Sequence, residues 1–120
     1  MKYTKLIFDA DNTLFDFNKA EAAALVNTLA HFNLPCPDDM IEFYRQMNLA
    51  LWQQFDHKKI DIKTLKQTRT QSIFRHIGQS ADIDAVAFQY LHQLSLCDFL
   101  LPGVTETLEL LAPHCEMMII

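Results

Sequence analysis

Apolar and polar positions along the chain change their period several times. Leu6-Ile7-Phe8 is an unbroken apolar run that stops at Asp9. Continuous rather than alternating apolarity suits a strand buried on both faces, as in a parallel sheet, and predicts a strand over about 4–9. From Asn18 the period becomes helical. Asn18 with Glu21 three residues later has the form of a capping box, and the alanine-rich stretch from Ala20 to Phe32 sets Ala22, Leu25, Val26, Leu29 and Phe32 on one face. Leu34-Pro35-Cys36-Pro37 is expected to end this helix, because proline cannot continue the hydrogen-bond ladder.

Asp38 or Asp39 is placed to cap a second helix to about Phe55, with Tyr44, Met47, Leu51 and Phe55 at helical spacing. Residues 56–59 read as a turn. Asp61 can cap a third helix through Ile62, Leu65, Ile73 and Ile77, with Gly78 as its terminator. A fourth helix, from about Asp82 to Leu96, carries Val86, Tyr90, Leu91 and Leu94. Four successive helices on short connections predict a small antiparallel bundle. Leu101-Pro102-Gly103 marks a change of element. Thr105 to Leu111 follows as a short helix with Val104, Leu108 and Leu111 on one side, Pro113 stops it, and 115–120 reads as a second buried strand. The predicted architecture is therefore α/β: parallel strands at about 4–9 and 115–120, with a four-helix insertion between them. Residues 1–17 and 99–120 form one part and residues 18–98 the other.

Composition narrows the possibilities. The 120 residues suffice for one ordinary domain, and 50% apolar with 21% charged residues is a globular balance. A net charge of −5 argues against binding a nucleic-acid polymer by phosphate neutralisation. No run of apolar residues is long enough to span a membrane. Lys2 and Lys5 precede an apolar run that Asp9 breaks too early for a signal peptide. Cys36, Cys97 and Cys115 are an odd number without a CxxC, which suits reduced thiols and a cytoplasmic protein. His31 and His92 each stand five residues before a cysteine, whereas zinc sites use tighter, paired spacing.

The chemistry concentrates at Asp9-x-Asp11-x-Thr13. A calcium loop counted from Asp9 would need glycine at its sixth position and glutamate at its twelfth, but Leu14 and Ala20 stand there. Acids that cap a helix or solvate a loop are common singly, and less so as a pair directly after a buried run. Phosphoryl transfer accounts for all three residues. It depends mainly on positioning and charge neutralisation, so Asp9 can attack phosphorus and form an aspartyl-phosphate. Asp11 can protonate the departing alkoxide and later deprotonate the incoming water, and Thr13 can orient the loop. Magnesium shared between Asp9 and a phosphate oxygen would screen the repulsion between anions.

At these residues the sequence closely resembles the haloacid dehalogenase (HAD) superfamily, whose first motif is an apolar strand followed by DxDxT and an apolar residue. Asp9, Asp11, Thr13 and Leu14 occupy the defined positions. The resemblance implies Asp9 as nucleophile and metal ligand, and Asp11 as general acid/base with its backbone carbonyl on Mg2+. Asn12 and Thr13 would orient the phosphate loop. The second acid separates phosphatases from dehalogenases, which generally lack it, and from transport ATPases, which usually carry threonine there. The implied fold is the N-terminal part of a HAD-like Rossmannoid core, with residues 18–98 as a helical cap and Pro102-Gly103-Val104 as the return to the core.

More narrowly, Phe8 through Phe15, with Asn48, Leu51 and Trp52, is similar to the noncanonical pyrimidine 5′-nucleotidase subfamily. That likeness implies a Mg-dependent phosphomonoesterase acting on a nucleoside 5′-monophosphate. Substrate contacts would come from the cap: Trp52 stacking on a base, Asn48 bonding its edge, Arg69 meeting a phosphate or a cap acid. The plainer alternative makes Trp52 a core residue and Arg69 a solvated charge. Met117 to Ile120 resembles the strand of the family's second motif, whose hydroxyl residue, together with the later lysine and acidic pair, would fall beyond residue 120. The expectation is thus the first half of a larger enzyme. A noncatalytic binding remnant and a phosphosugar phosphatase share the same acidic loop and remain as alternatives. Nothing in the pattern specifies an oligomeric state.

Overall fold

The computed structural model describes residues 3–11 and 13–120. The chain divides into two compact units, Met1–Ala20 with Asp98–Ile120, and Glu21–Cys97. In the first, β1 (Lys5–Phe8) pairs in parallel with β2 (Glu116–Ile119), Leu6 opposite Met117 and Phe8 opposite Ile119. Backbone bonds from Glu116 N–H to Thr4 O (2.8 Å) and from Ile120 N–H to Phe8 O (2.9 Å) extend the ladder at both ends. Both strands are shorter than the spans predicted for them, and neither is buried on both faces as expected: their residues are exposed or half-buried, because only one partner strand covers each. The short helix of this unit runs over Val104–Leu111 and follows Gly103, whose φ of 81° lies in the left-handed region that glycine enters without strain. Its half-buried side carries Val104, Leu108 and Leu111, as the spacing predicts.

Four longer helices, α1 (Phe17–His31), α2 (Met40–Asp56), α3 (Ile62–Ile77) and α4 (Ile83–Ser95), precede that short helix, α5. One core gathers residues from all four: Ala24, Leu25 and Leu29 of α1, Met40 and Tyr44 of α2, Ile73 and Phe74 of α3, and Val86 and Tyr90 of α4. Each helix brings an apolar stripe, and burying the stripes together is what makes helices of this length stable. Local punctuation behaves as the sequence predicts at Asp61 and Gly78, and Asp82, the predicted start of the fourth helix, proves to be its cap. Asp61 accepts from Thr64 N–H at 2.7 Å, Asp82 accepts from Ala85 N–H at 2.8 Å, and Gly78 closes α3 with φ 71°.

Four expectations for the helices fail. The cap of α1 is Asp16, whose carboxylate accepts from Lys19 N–H at 3.0 Å, so Asn18 lies inside the helix and no capping box forms. The buried face of α1 is Glu21, Ala24, Leu25, Thr28 and Leu29, while Val26 is exposed; polar side chains with partners to bond displaced the purely apolar stripe. The helix ends before the prolines, at Asn33 in the left-handed region (φ 55°), where Leu34 N–H bonds back to Leu29 O at 2.9 Å. Asp39 does stand at the start of α2, but its side chain makes no cap bond and instead meets Nε2 of His76 on α3 at 3.0 Å. Among the described residues no helix is long and apolar enough to cross a membrane.

Candidate active site

Asp9 leaves β1 at its carboxyl end, and the parallel register brings the end of β2 to the same rim. Ligands of open α/β sheets bind on that rim, because the helices that follow or precede the strands cover the faces and leave the ends open. The turn after Asp9 is closed by the Ala10 carbonyl, which accepts from the N–H groups of both Leu14 and Phe15 at 3.0 Å. Leu14 is buried and pins the turn from below. Its carbonyl accepts from Leu101 N–H at 3.0 Å, and Asp16 N–H donates to Phe99 O at 2.8 Å, so the returning segment straps the loop in place. Lys19 lies over the Phe99 ring at 4.5 Å from its centroid.

Asp9, Asp11 and Thr13 are all exposed on this turn. Among the described residues neither carboxylate accepts a hydrogen bond or pairs with a cation. Asn12, expected to orient a phosphate, lies outside the described residues. Beside the turn is a half-open, largely apolar cavity of about 210 Å³, walled by Phe8, Thr13, Leu14, Gly103, Thr107 and Leu108 among others. It reaches Thr13 but neither acid, so it is not by itself a substrate pocket for chemistry at Asp9.

The remaining sequence candidates are in the helical unit. Trp52 is 37% exposed and packs edge-to-face on Phe55, ring centroids 5.5 Å apart; it does not fill the core. Arg69 is only 5% exposed and is no solvated charge. Its Nη1 donates to Asn48 Oδ1 at 3.2 Å, and Asn48 Nδ2 donates to Glu21 Oε2 at 2.8 Å. The guanidinium also sits 4.9 Å from the centroid of the Tyr90 ring. Arg45 Nε approaches Glu21 at 3.7 Å, an ion-pair distance rather than a hydrogen bond. The buried chain Glu21–Asn48–Arg69 thus joins α1, α2 and α3. Burial, and then the neighbouring Tyr90, hold the Tyr44 phenol well above its ordinary pKa; burial likewise raises that of Tyr90. Sequence reading missed Glu21 and Tyr90 here. The signal available was an acid on the same helical face as Leu25 and Leu29.

Among the described residues no group of three or more His, Cys, Asp or Glu side chains converges on a point that could hold a metal. Magnesium makes smaller demands on protein. It takes one or two carboxylates, keeps several waters and completes its shell with substrate phosphate. The exposed hard oxygens of Asp9 and Asp11 fit that ion in kind.

In both sequence and fold the chain is similar to HAD hydrolases: it has the two parallel strands of part of a HAD-like α/β core, with the helical cap region between them in sequence. No protein-family model matches it. It is 35% identical over 109 residues to pyrimidine 5′-nucleotidase PynA of Streptococcus pneumoniae (strain ATCC BAA-255 / R6), covering 91% of this chain and 46% of that protein. Over 119 residues it is 29% identical to the HAD-hydrolase YfnB of Bacillus subtilis (strain 168), covering 99% of this chain and 51% of that protein. The crystal structure of YfnB bound to magnesium matches the whole chain with a TM-score of 0.91 at 28% identity, over 53% of its own chain. The chain spans about half the length of the curated relatives it matches.

Proposed function

We propose that this chain carries the nucleophile and the proton-transfer group of a phosphomonoesterase acting on a pyrimidine nucleoside 5′-monophosphate. The observation that carries the reading is the pair Asp9 and Asp11, exposed at the carboxyl end of β1 on a turn braced by backbone bonds to Ala10. The name of the Streptococcus relative supports the substrate class. An Asp9 carboxylate oxygen attacks phosphorus, and the bond from phosphorus to the nucleoside 5′ oxygen breaks. Asp11 gives that oxygen its proton, then removes a proton from the water that attacks the aspartyl-phosphate. Inorganic phosphate leaves and Asp9 is regenerated.

The Asp9 carboxylate and the Asp11 backbone carbonyl would hold magnesium, which supplies positive charge against the phosphate oxygens when bound. Thr13 orients the turn, and Asn12 belongs to the same loop. In this reading residues 1–17 and 99–120 are core and residues 18–98 are the cap. Trp52, whose ring is partly free, offers a stacking face for the base. Asn48 and Arg69, engaged with Glu21 and each other, position the helix that carries it. The odd number of cysteines fits a cytoplasmic enzyme.

The test is phosphate release from a panel of phosphate esters, with and without magnesium, by the protein and its Asp9→Asn form. Expected is a preference for pyrimidine nucleoside monophosphates and a loss on the order of a thousandfold or more in Asp9→Asn. Turnover that survives Asp9→Asn would overturn the mechanism. Equal or better turnover of phosphosugars would overturn the substrate while leaving the mechanism standing.

A further inference from the structure

The helical unit has a second apolar surface that its core does not use. Helix α3 buries Leu65, Ile73 and Phe74, and α4 buries Val86 and Tyr90. Away from these residues, a cavity of about 330 Å³ runs between the two helices, walled by Ile62, Lys63, Lys66, Asp84, Phe88 and Leu91 among others. Phe88 is 72% exposed at its rim, and Ile62 and Leu91 are also open to solvent. The Phe88 ring lies parallel to His92 on the same helix, with centroids 6.5 Å apart, which leaves the rest of the ring uncovered. A single exposed phenylalanine is ordinary. One standing beside an apolar hollow, with two more aliphatic side chains open, is a patch that asks for a partner.

We propose that this face is a two-fold contact between two copies of this chain. The patch carries its own complement. It has a projecting ring and, next to it, a hollow; it has Lys63 and Lys66 on α3 and Asp84 on α4. A two-fold axis makes every contact reciprocal, so each copy offers the other both shape and charge. Phe88 of one copy enters the hollow between Ile62 and Leu91 of the other, and Asp84 faces the second copy's Lys63 and Lys66. A purely acidic partner would meet Asp84 and a purely basic one the two lysines, so the mixed signs favour self-recognition.

Sedimentation equilibrium of the full chain tests this. Expected is a concentration-dependent dimer whose dissociation constant rises about tenfold or more in Phe88→Asp. Asp84→Lys alone and the pair Lys63→Asp with Lys66→Asp should each weaken the dimer. Mixing those two variants should restore it, because only the mixed dimer places opposite charges at both contacts. Thermal melts of each variant, taken at concentrations where the chain is monomeric, show whether the helices remain folded, with at most a small loss expected where Asp84→Lys takes an acid from the first turn of α4. A monomer at every concentration overturns the proposal. So does a dimer indifferent to Phe88→Asp, or a mixture no tighter than its two components.

Discussion

The two units of this chain differ in where their stability and their chemistry lie. In Glu21–Cys97 four helices satisfy their own backbone bonds and close one core with side chains from each. In the strand-bearing unit Leu14 is the buried large side chain among the described residues, while Ile7, Met118 and Ile120 face solvent, the last 79% exposed. Two strands leave open edges and uncovered faces, and such sheets are marginal without further cover. Yet this sparsely buried unit carries Asp9 and Asp11. Their loop is held by backbone bonds from Ala10, Leu14 and Phe99 rather than by a core of its own. Burial and the proposed catalytic pair are thus separable: one unit gathers the core from four helices, and the other exposes the two carboxylates.

The largest effect expected on stability is in the helical unit. Arg69→Ala removes a buried cation and leaves Asn48 Oδ1 without its donor, so urea unfolding should show a loss of about 3 kcal/mol. The sharper form of the test replaces the whole chain, Glu21→Met, Asn48→Leu and Arg69→Met together. Removing all three polar groups leaves none of them orphaned, and the triple variant should cost less than Arg69→Ala alone. If it costs more, the polar chain itself stabilises the bundle rather than merely being satisfied within it.

Next is Leu14→Ala. Cutting back a buried leucine costs about 2–4 kcal/mol in a full core, and the low end, about 2 kcal/mol, is expected here because few side chains pack around this loop. The expected reading is faster amide exchange at Leu14, Phe15 and Leu101 with exchange in α2–α4 unchanged. Uniformly faster exchange in both units would mean they share one unfolding unit, and the contrast drawn between them would fail.

The contrast also explains what could be read from sequence. Asp61 and Gly78 were legible because each acts on backbone within three or four residues of itself, and Asp82 was legible as the start of α4. The acidic loop stands out in the sequence for the same reason, its proposed residues being contiguous from Asp9 to Thr13. Glu21 was not. As part of a capping box its partner would be three residues away, whereas its actual partner Asn48 is 27 residues away. Asp39 was equally placed to cap α2, and only the packing of α3 brings His76, 37 residues on, to compete for its carboxylate. The His76 ring stacks on Phe43 at 4.0 Å between centroids, which fixes it there. Asn33 concealed itself behind two prolines that looked like the stronger stop. Glu21 and Asp39 escaped the local rules because each has a partner on another helix far along the chain.

A smaller effect is expected at the end of α2. Lys58 sits in the left-handed region at φ 59°, and Lys59 N–H bonds back to Gln54 O at 2.9 Å. A side chain is strained in that conformation and glycine is not, so Lys58→Gly should stabilise the helical unit by about 0.5–1 kcal/mol. A destabilised variant would show that glycine's extra freedom in the unfolded chain outweighs the relieved strain.

The smallest effect is a change with pH at the other end of that turn. The Thr64 side chain and backbone N–H both hydrogen-bond the Asp61 carboxylate and hold its pKa below the ordinary value. A carboxyl whose pKa is lower folded than unfolded binds protons more readily when unfolded. Its stabilising contribution is therefore complete above the unfolded pKa, near 4, and is lost as pH falls through the still lower folded value. Asp61→Asn keeps an oxygen for the Thr64 N–H but cannot titrate. The difference in melting temperature between the protein and Asp61→Asn should be constant from neutral pH down to about 5 and should shrink below 4. No difference between the two at any pH would mean that the cap acts through its oxygen alone, with no share from the charge.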